Sequence, residues 1–178
     1  MKIITWFVSL FLSISIYAGQ TNLDKKIWAH QAILATLQVN HNTYIADQRE
    51  IAKYFTSDAW KRYLQALEAA KFKEYIEKNN YRVDAVALKP VTLKPLQQGL
   101  WQASMPVLVQ YKNPQYDQLQ TLYATIQFKL APAGQGVQGY QMVSYLTKNM
   151  DKPCKCMIKK GKANLSIDKQ KPGKSTKQ

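Results

Sequence analysis

The chain has 178 residues, 46% hydrophobic and 20% charged, which fits one ordinary folded domain and excludes wholesale disorder. Lys plus Arg total 25 against 11 Asp plus Glu, a formal net charge of +14. Two cysteines and two histidines exclude a disulfide-dense scaffold and leave little material for a His-based catalytic or zinc site.

The N-terminus reads as an export signal. Lys2 is a short positive region, Ile3 to Ile16 is apolar and uncharged, and Ala18 is the small residue of a cleavage site. The apolar run is shorter than the roughly 20 residues that cross a bilayer comfortably. Residues 1–18 are therefore expected to be a signal peptide, with a retained anchor over residues 3–17 as the alternative. The expected product is an exported, soluble chain in the periplasm. No cysteine follows the apolar run to carry a lipid.

Residues 23–39 have helical spacing, with Leu23, Ile27, Leu34 and Leu37 flanked by Trp28, Ala32 and Ala35. Asn40-His41-Asn42 breaks the helix. A short helix is expected over Arg49–Tyr54. Thr56 or Ser57 can cap the next one, with Asp58 in its first turn near the positive dipole end. Trp60, Tyr63, Leu64 and Leu67 then recur at i, i+3, i+4 and i+7, and Phe72, Tyr75 and Ile76 extend that face until Asn79-Asn80.

After Asn80 the period changes to two. Tyr81–Leu88 reads as a strand with Val83, Ala85 and Ala87 on one face. Val91–Leu96 reads as an edge strand, because Pro90 bounds it and Pro95 interrupts it. Trp101–Tyr111 alternates cleanly, and Pro106 within it predicts a bulge or an exposed edge. Lys112-Asn113-Pro114 supplies a turn. Leu122–Leu130 and Val137–Leu146 complete an antiparallel meander. The expected class is α+β, with the N-terminal helices covering the apolar face of a curved antiparallel sheet.

Residues 148–178 differ from the rest. They hold ten lysines and two aspartates, so +8 of the net +14 lies there, against 14 positive and 9 negative residues over 19–147. Such a segment offers too little apolar surface to offset chain entropy, so a basic disordered tail is expected. Lys155, Lys159, Lys160 and Lys162 are its candidate contact residues. A solvated tail ranks first, an anionic envelope surface second and DNA third, since no aromatic residue in the tail can stack on bases. Nucleic acid is thus not the expected partner. Cys154 and Cys156 flank Lys155, and a bond across one residue would be strained. The pair is a weak metal candidate, because two ligands make an incomplete site.

The residues Trp28-Ala29, Phe55-Thr56, Trp60, Ala66-Leu67, Trp101, Met105-Pro106 and Tyr111 together resemble the periplasmic domain of the DotI/IcmL family. These are inner-membrane components of type IVB secretion machines, with counterparts in conjugation. The resemblance covers roughly residues 25–147 and places the domain at 19–147. It implies a cone-shaped fold of the nuclear-transport-factor-2 kind and a binding or scaffold role without chemistry or cofactor. The partners implied are envelope proteins, type IV secretion components among them, and a second copy of the chain. Members in the machine typically begin with a cytoplasmic segment and a spanning helix, whereas this sequence opens on the signal-like stretch.

The residues agree with a scaffold role. No Gly-x-Ser-x-Gly, phosphate loop or glycine cluster before a helix is present. His30 and His41 read as exposed helix and loop residues. The alternative function is a stand-alone periplasmic pocket protein, binding a small ligand or using a buried carboxylate such as Asp84 for acid–base chemistry. A carboxylate deep in an apolar cavity would favour that alternative; a filled cone with exposed aromatic strands would favour the scaffold. Trp28, Trp60 and Trp101 are expected to form one core cluster. Tyr111, Tyr116 and Tyr140, near strand ends, are the candidate exposed contacts, and the Pro90–Pro95 edge is a candidate for strand pairing with a partner.

Overall fold

The computed structural model describes residues 15–97 and 99–150, with side chains from Asn22 onward. Four helices come first and a sheet follows. Helix α1 spans Ser15–Leu37, α2 Tyr44–Ala52, α3 Ser57–Ala69 and α4 Phe72–Lys78. The strands are β1 Val39–Asn40, β2 Arg82–Ala87, β3 Thr92–Gln97, β4 Leu100–Lys112, β5 Asp117–Leu130 and β6 Tyr140–Asn149. The tail residues beyond Met150, including Cys154, Lys155, Cys156, Lys159, Lys160 and Lys162, lie outside the described residues, as do the first fourteen.

The sheet is antiparallel throughout, in the order β1-β2-β4-β5-β6, with β3 pairing β4 beside β2. The two long strands β4 and β5 pair without a register shift from Leu100↔Lys129 to Lys112↔Asp117. Their alternation sets the core face, where Ala103, Met105, Val107 and Val109 meet Leu122, Ala124, Ile126 and Phe128, all buried.

Pro106 makes neither the bulge nor the edge that its lack of an N–H suggested. It lies mid-strand, paired in register with Tyr123. Its carbonyl accepts from the Leu88 amide at 2.9 Å, on the side where β2 has ended and β3 has not begun. In a strand, a residue's N–H and C=O point the same way, so the missing donor faces a break in the ladder and costs nothing there.

Helix α1 crosses the core face, and its buried stripe is Lys25, Trp28, Ala29, Ala32, Ile33 and Thr36. Leu23 and Ile27, which the sequence placed on that stripe, stand 56% and 46% exposed. The helix is rotated to bury the large indole of Trp28, and two aliphatic residues are left outside.

The second helix begins at Tyr44, earlier than expected, because Asp47 reaches back across its start. The Asp47 Oδ2 accepts from the Asn40 amide at 2.9 Å and the Thr43 hydroxyl at 3.0 Å. Thr56 caps α3 as expected, its hydroxyl accepting from the Ala59 amide at 3.4 Å. The single long helix expected from Trp60 to Ile76 is two helices. The chain breaks at Lys71, which sits at φ 50° in the left-handed region. The last strand runs on through Lys148 and Asn149, which were assigned to the tail, and the Met150 amide donates to the Thr121 carbonyl at 2.9 Å.

Candidate protein-binding surface

The interior of the curved sheet is packed solid with side chains. Trp28, Phe128, Ile33, Ile76, Met105, Ile126 and Met142 are all essentially without solvent contact. Trp28 lies 4.9 Å from Phe128 and 5.5 Å from Tyr140, ring centre to ring centre, and Trp101 lies 5.8 Å from Phe128. Asp84 is not in that interior. Its side chain is 40% exposed, its carboxylate accepts from the Arg82 Nε at 3.1 Å, and it borders a polar recess with Asp47 and Glu50. Among the described residues no group of three or more His, Cys, Asp or Glu is placed to hold a metal.

Trp60 does not join Trp28 and Trp101. It belongs to a second aromatic cluster, where Phe55 stacks on Tyr63 at 5.1 Å and Trp60 on Tyr63 at 5.3 Å. Tyr145 from β6 meets Tyr63 edge-on at 5.7 Å. Phe55 is positioned by one backbone bond on either side of it. The Met142 amide donates to the Tyr54 carbonyl at 2.7 Å, and the Thr56 amide donates to the Met142 carbonyl at 2.9 Å. Burial, then the neighbouring Tyr44, pushes the Tyr63 phenol well up from its ordinary range. Burial, then Tyr63 and Tyr111, does the same to Tyr145, whose hydroxyl has no hydrogen-bond partner.

Above this cluster the helices leave an apolar groove of about 860 Å³, lined among others by Tyr44, Ile45, Gln48, Trp60, Leu64, Leu67 and Phe72. It exists because α3 buries only Ala59 fully, although its apolar residues recur at helical spacing. The turn at Lys71 swings α4 across the end of α3 and brings Phe72 onto the groove. Ile45 is 53% and Leu64 40% exposed. Arg49, Glu68, Lys71, Lys73 and Glu74 form a mixed-charge rim. An apolar floor within a charged rim is the build of a protein contact surface. The sequence carried the signal in the Trp60–Leu67 stripe, of which only Trp60 was assigned there to the core.

The candidate contacts named from sequence are dispersed. Tyr116 stands 63% exposed in the β4–β5 turn, where Asn113 Oδ1 accepts from the Gln115 and Tyr116 amides. Tyr111 is half-buried in a third cluster, 6.1 Å from Tyr81 and 6.5 Å from Tyr75. Tyr140 is half-buried against Trp28 and Phe128. Burial raises the phenols of both Tyr111 and Tyr140, with Asp24 adding to the effect at Tyr140. These two are packing residues rather than free surface groups. His30 borders a surface recess with Leu23 and Ile27, and His41 is half-buried with its Nδ1 unpartnered. The outer sheet face carries apolar residues that the sequence reading passed over, Val86 at 60%, Leu119 at 59% and Tyr123 at 39% exposure.

Residues 19–149 match the family model of the type IVB secretion system inner-membrane complex component, DotI/IcmL. The chain is similar to the crystal structure of an IcmL-like type IV secretion system protein from Legionella pneumophila, at 43% identity and a TM-score of 0.72. That match covers 75% of this chain and 96% of the other. The periplasmic domain of DotI matches at 22% identity and a TM-score of 0.65, covering 71% of this chain and 94% of that one. A periplasmic fragment of TraM matches at 16% identity and a TM-score of 0.61, over 72% and 98%. These last two carry the fold alone, a four-helix and half-barrel arrangement of the nuclear-transport-factor-2-like kind. No protein of curated function matches the chain significantly. A family match over most of the sequence, a 43% identical relative and the observed fold agree, and the chain belongs to the DotI/IcmL family of type IVB secretion components.

Proposed function

We propose that the protein is a non-catalytic binding module of a type IVB secretion assembly, working on the periplasmic side of the inner membrane. Membership of the family supports the assembly, and the periplasmic origin of the solved DotI and TraM pieces supports the side. The observation that carries the binding role is the pairing of a filled interior with an open groove. The space where a substrate would sit in a pocket protein is occupied by Trp28, Phe128 and Met105, while Ile45 and Leu64 remain exposed around Trp60. Burying such a groove under a partner gains about 25 cal/mol per Å² of apolar surface covered. The partner is another envelope component of the machine, presenting an apolar helix or loop to α2 and α3. The export signal delivers the domain, or residues 3–17 hold it as an anchor, and the lysine tail makes additional contacts with anionic envelope surface.

The test is capture of the tagged full chain from cross-linked envelope fractions, with mass spectrometry of what accompanies it. Type IV secretion components are expected with the native chain and lost with Leu64→Asp plus Ile45→Asp. Equal recovery with both proteins, or a monomer released freely from the periplasm, would refute the groove and the assembly respectively.

A further inference from the structure

The end of the molecule where α1 begins has a different character from the groove. Leu23 and Ile27 of α1 stand exposed and share a recess of about 570 Å³ with Lys26, His30 and the Lys89–Pro90 corner. The β3–β4 hairpin and the last residues of β5 lie by the start of α1, where Lys25 Nζ sits 4.6 Å from the Trp101 ring. There Lys94 pairs in register with Gln102, and Lys129 with Leu100. Leu96 is 40% and Leu130 59% exposed beside them. Lys26, Lys89, Lys94 and Lys129 are all exposed.

The charge is one-sided. Among the described residues only Asp24 is acidic at this end; every other acid lies on α2, α3, α4, mid-β2 or the start of β5. The ion pairs Lys53–Glu50, Lys73–Glu77 and Arg82–Asp84 all lie away from it. Exposed leucines interspersed with lysines, with almost no acid, match an anionic bilayer surface. Lysine stems lie along apolar surface while their ammonium groups meet phosphates, and leucines enter the headgroup boundary. A protein partner buried here would face four ammonium groups needing desolvation, which a headgroup layer does not demand.

We infer that this Leu23–Ile27–Leu96–Leu130 end, with Lys26, Lys89, Lys94 and Lys129, is a docking face for anionic phospholipid. It sets the domain upright on the inner membrane with the α2–α3 groove pointing away, whether or not the N-terminal stretch is retained. The face belongs to the folded domain and is separate from the lysine tail.

The experiment places a photo-cross-linking amino acid at Leu96 or Leu130 of the full chain in living cells and analyses the adducts. Tyr116, beyond the other end of β4, is the control position. Phosphatidylglycerol adducts are expected at 96 and 130 and not at 116. Lys26→Gln, Lys89→Gln, Lys94→Gln and Lys129→Gln combined should lower the adduct yield roughly tenfold or more, as four near-surface charges of this kind allow. The corresponding Lys→Arg set should retain it. Lys155→Gln, Lys159→Gln, Lys160→Gln and Lys162→Gln should leave it unchanged. Protein adducts in place of lipid, a yield indifferent to the domain lysines, or a yield that follows the tail lysines would each overturn the inference. The substituted residues are exposed, and unchanged thermal unfolding of the Gln set separates loss of binding from loss of fold.

Discussion

The indole of Trp28 on α1 lies 4.9 Å from the ring of Phe128 near the end of β5, and both side chains are fully buried. This contact joins the first helix to the far end of the longest strand. It fixes where α1 crosses the sheet and so which residues of that helix stay outside. Trp28→Ala should cost about 3–5 kcal/mol through lost transfer energy and an unfilled cavity. Thermal unfolding should show a Tm lower by about 10 °C or more. A drop of only a degree or two would mean that the helix is held elsewhere.

Tyr145 places a hydroxyl in the second aromatic cluster without a hydrogen-bond partner. Removing an unpaired buried hydroxyl while keeping the ring is expected to be neutral or stabilising, by up to about 1–3 kcal/mol. Denaturant unfolding of Tyr145→Phe tests this, and destabilisation would show that the hydroxyl is satisfied in solution. Tyr63→Phe gives the contrast, because that hydroxyl donates to the Thr36 carbonyl at 3.4 Å and its loss should cost up to about 1 kcal/mol.

The same phenols make stability depend on alkaline pH. Burial raises the Tyr63 and Tyr145 pKa values above the ordinary 10.0 of the unfolded chain. Above that value the unfolded state has released protons that the native state still holds. Stability from these groups is therefore complete below about pH 9 and is lost as pH rises through 10 toward the folded values. Unfolding free energy measured from pH 8 upward should fall, and the double Phe variant should flatten the fall. An identical slope in the variant would assign the loss to other groups.

Gly136 sits at φ 72°, and a Cβ there would run into the Tyr140 carbonyl and the Gln141 side chain. Gly134 has nearly the same φ, 75°, but open space around it. Gly134→Ala should cost about 1–2 kcal/mol for the left-handed backbone alone. Gly136→Ala should cost clearly more, since the carbonyl is backbone and cannot swing aside. Equal unfolding midpoints for the two variants would contradict the placement of the β5–β6 loop.

Much of this fold was legible in the sequence because the sheet is one-sided. Val83 and Ala85 on β2, the Trp101–Tyr111 alternation and the Leu122–Phe128 alternation named the core face residue by residue. The helices were harder, since spacing reveals a stripe without saying which flank a tertiary partner will cover. On α1 the buried stripe passes through Trp28 and Ala32 instead of Leu23 and Ile27. On α3 the stripe is clear, yet the fold buries only Ala59 fully and leaves Leu64 40% exposed. The break at Lys71 carried no signal, because a lysine in the left-handed region follows from packing and has no glycine or proline to mark it. Pro106 misled in the opposite direction, as its missing N–H is harmless only because β2 stops at Ala87. The candidate groove gave no separate signal, because apolar residues at helical spacing look the same in sequence whether a partner element covers them or not.

The α2–α3 groove is proposed to receive another component of the secretion assembly. Photo-cross-linking from position 64 in intact cells checks this, with Leu119 on the outer sheet face as the comparison position. A discrete adduct from position 64 that contains a type IV secretion component is expected, diminished at least tenfold by Trp60→Ala or Ile45→Asp in a chain that still folds. No adduct from position 64, together with strong protein adducts from position 119, would contradict it and move the interface to the sheet.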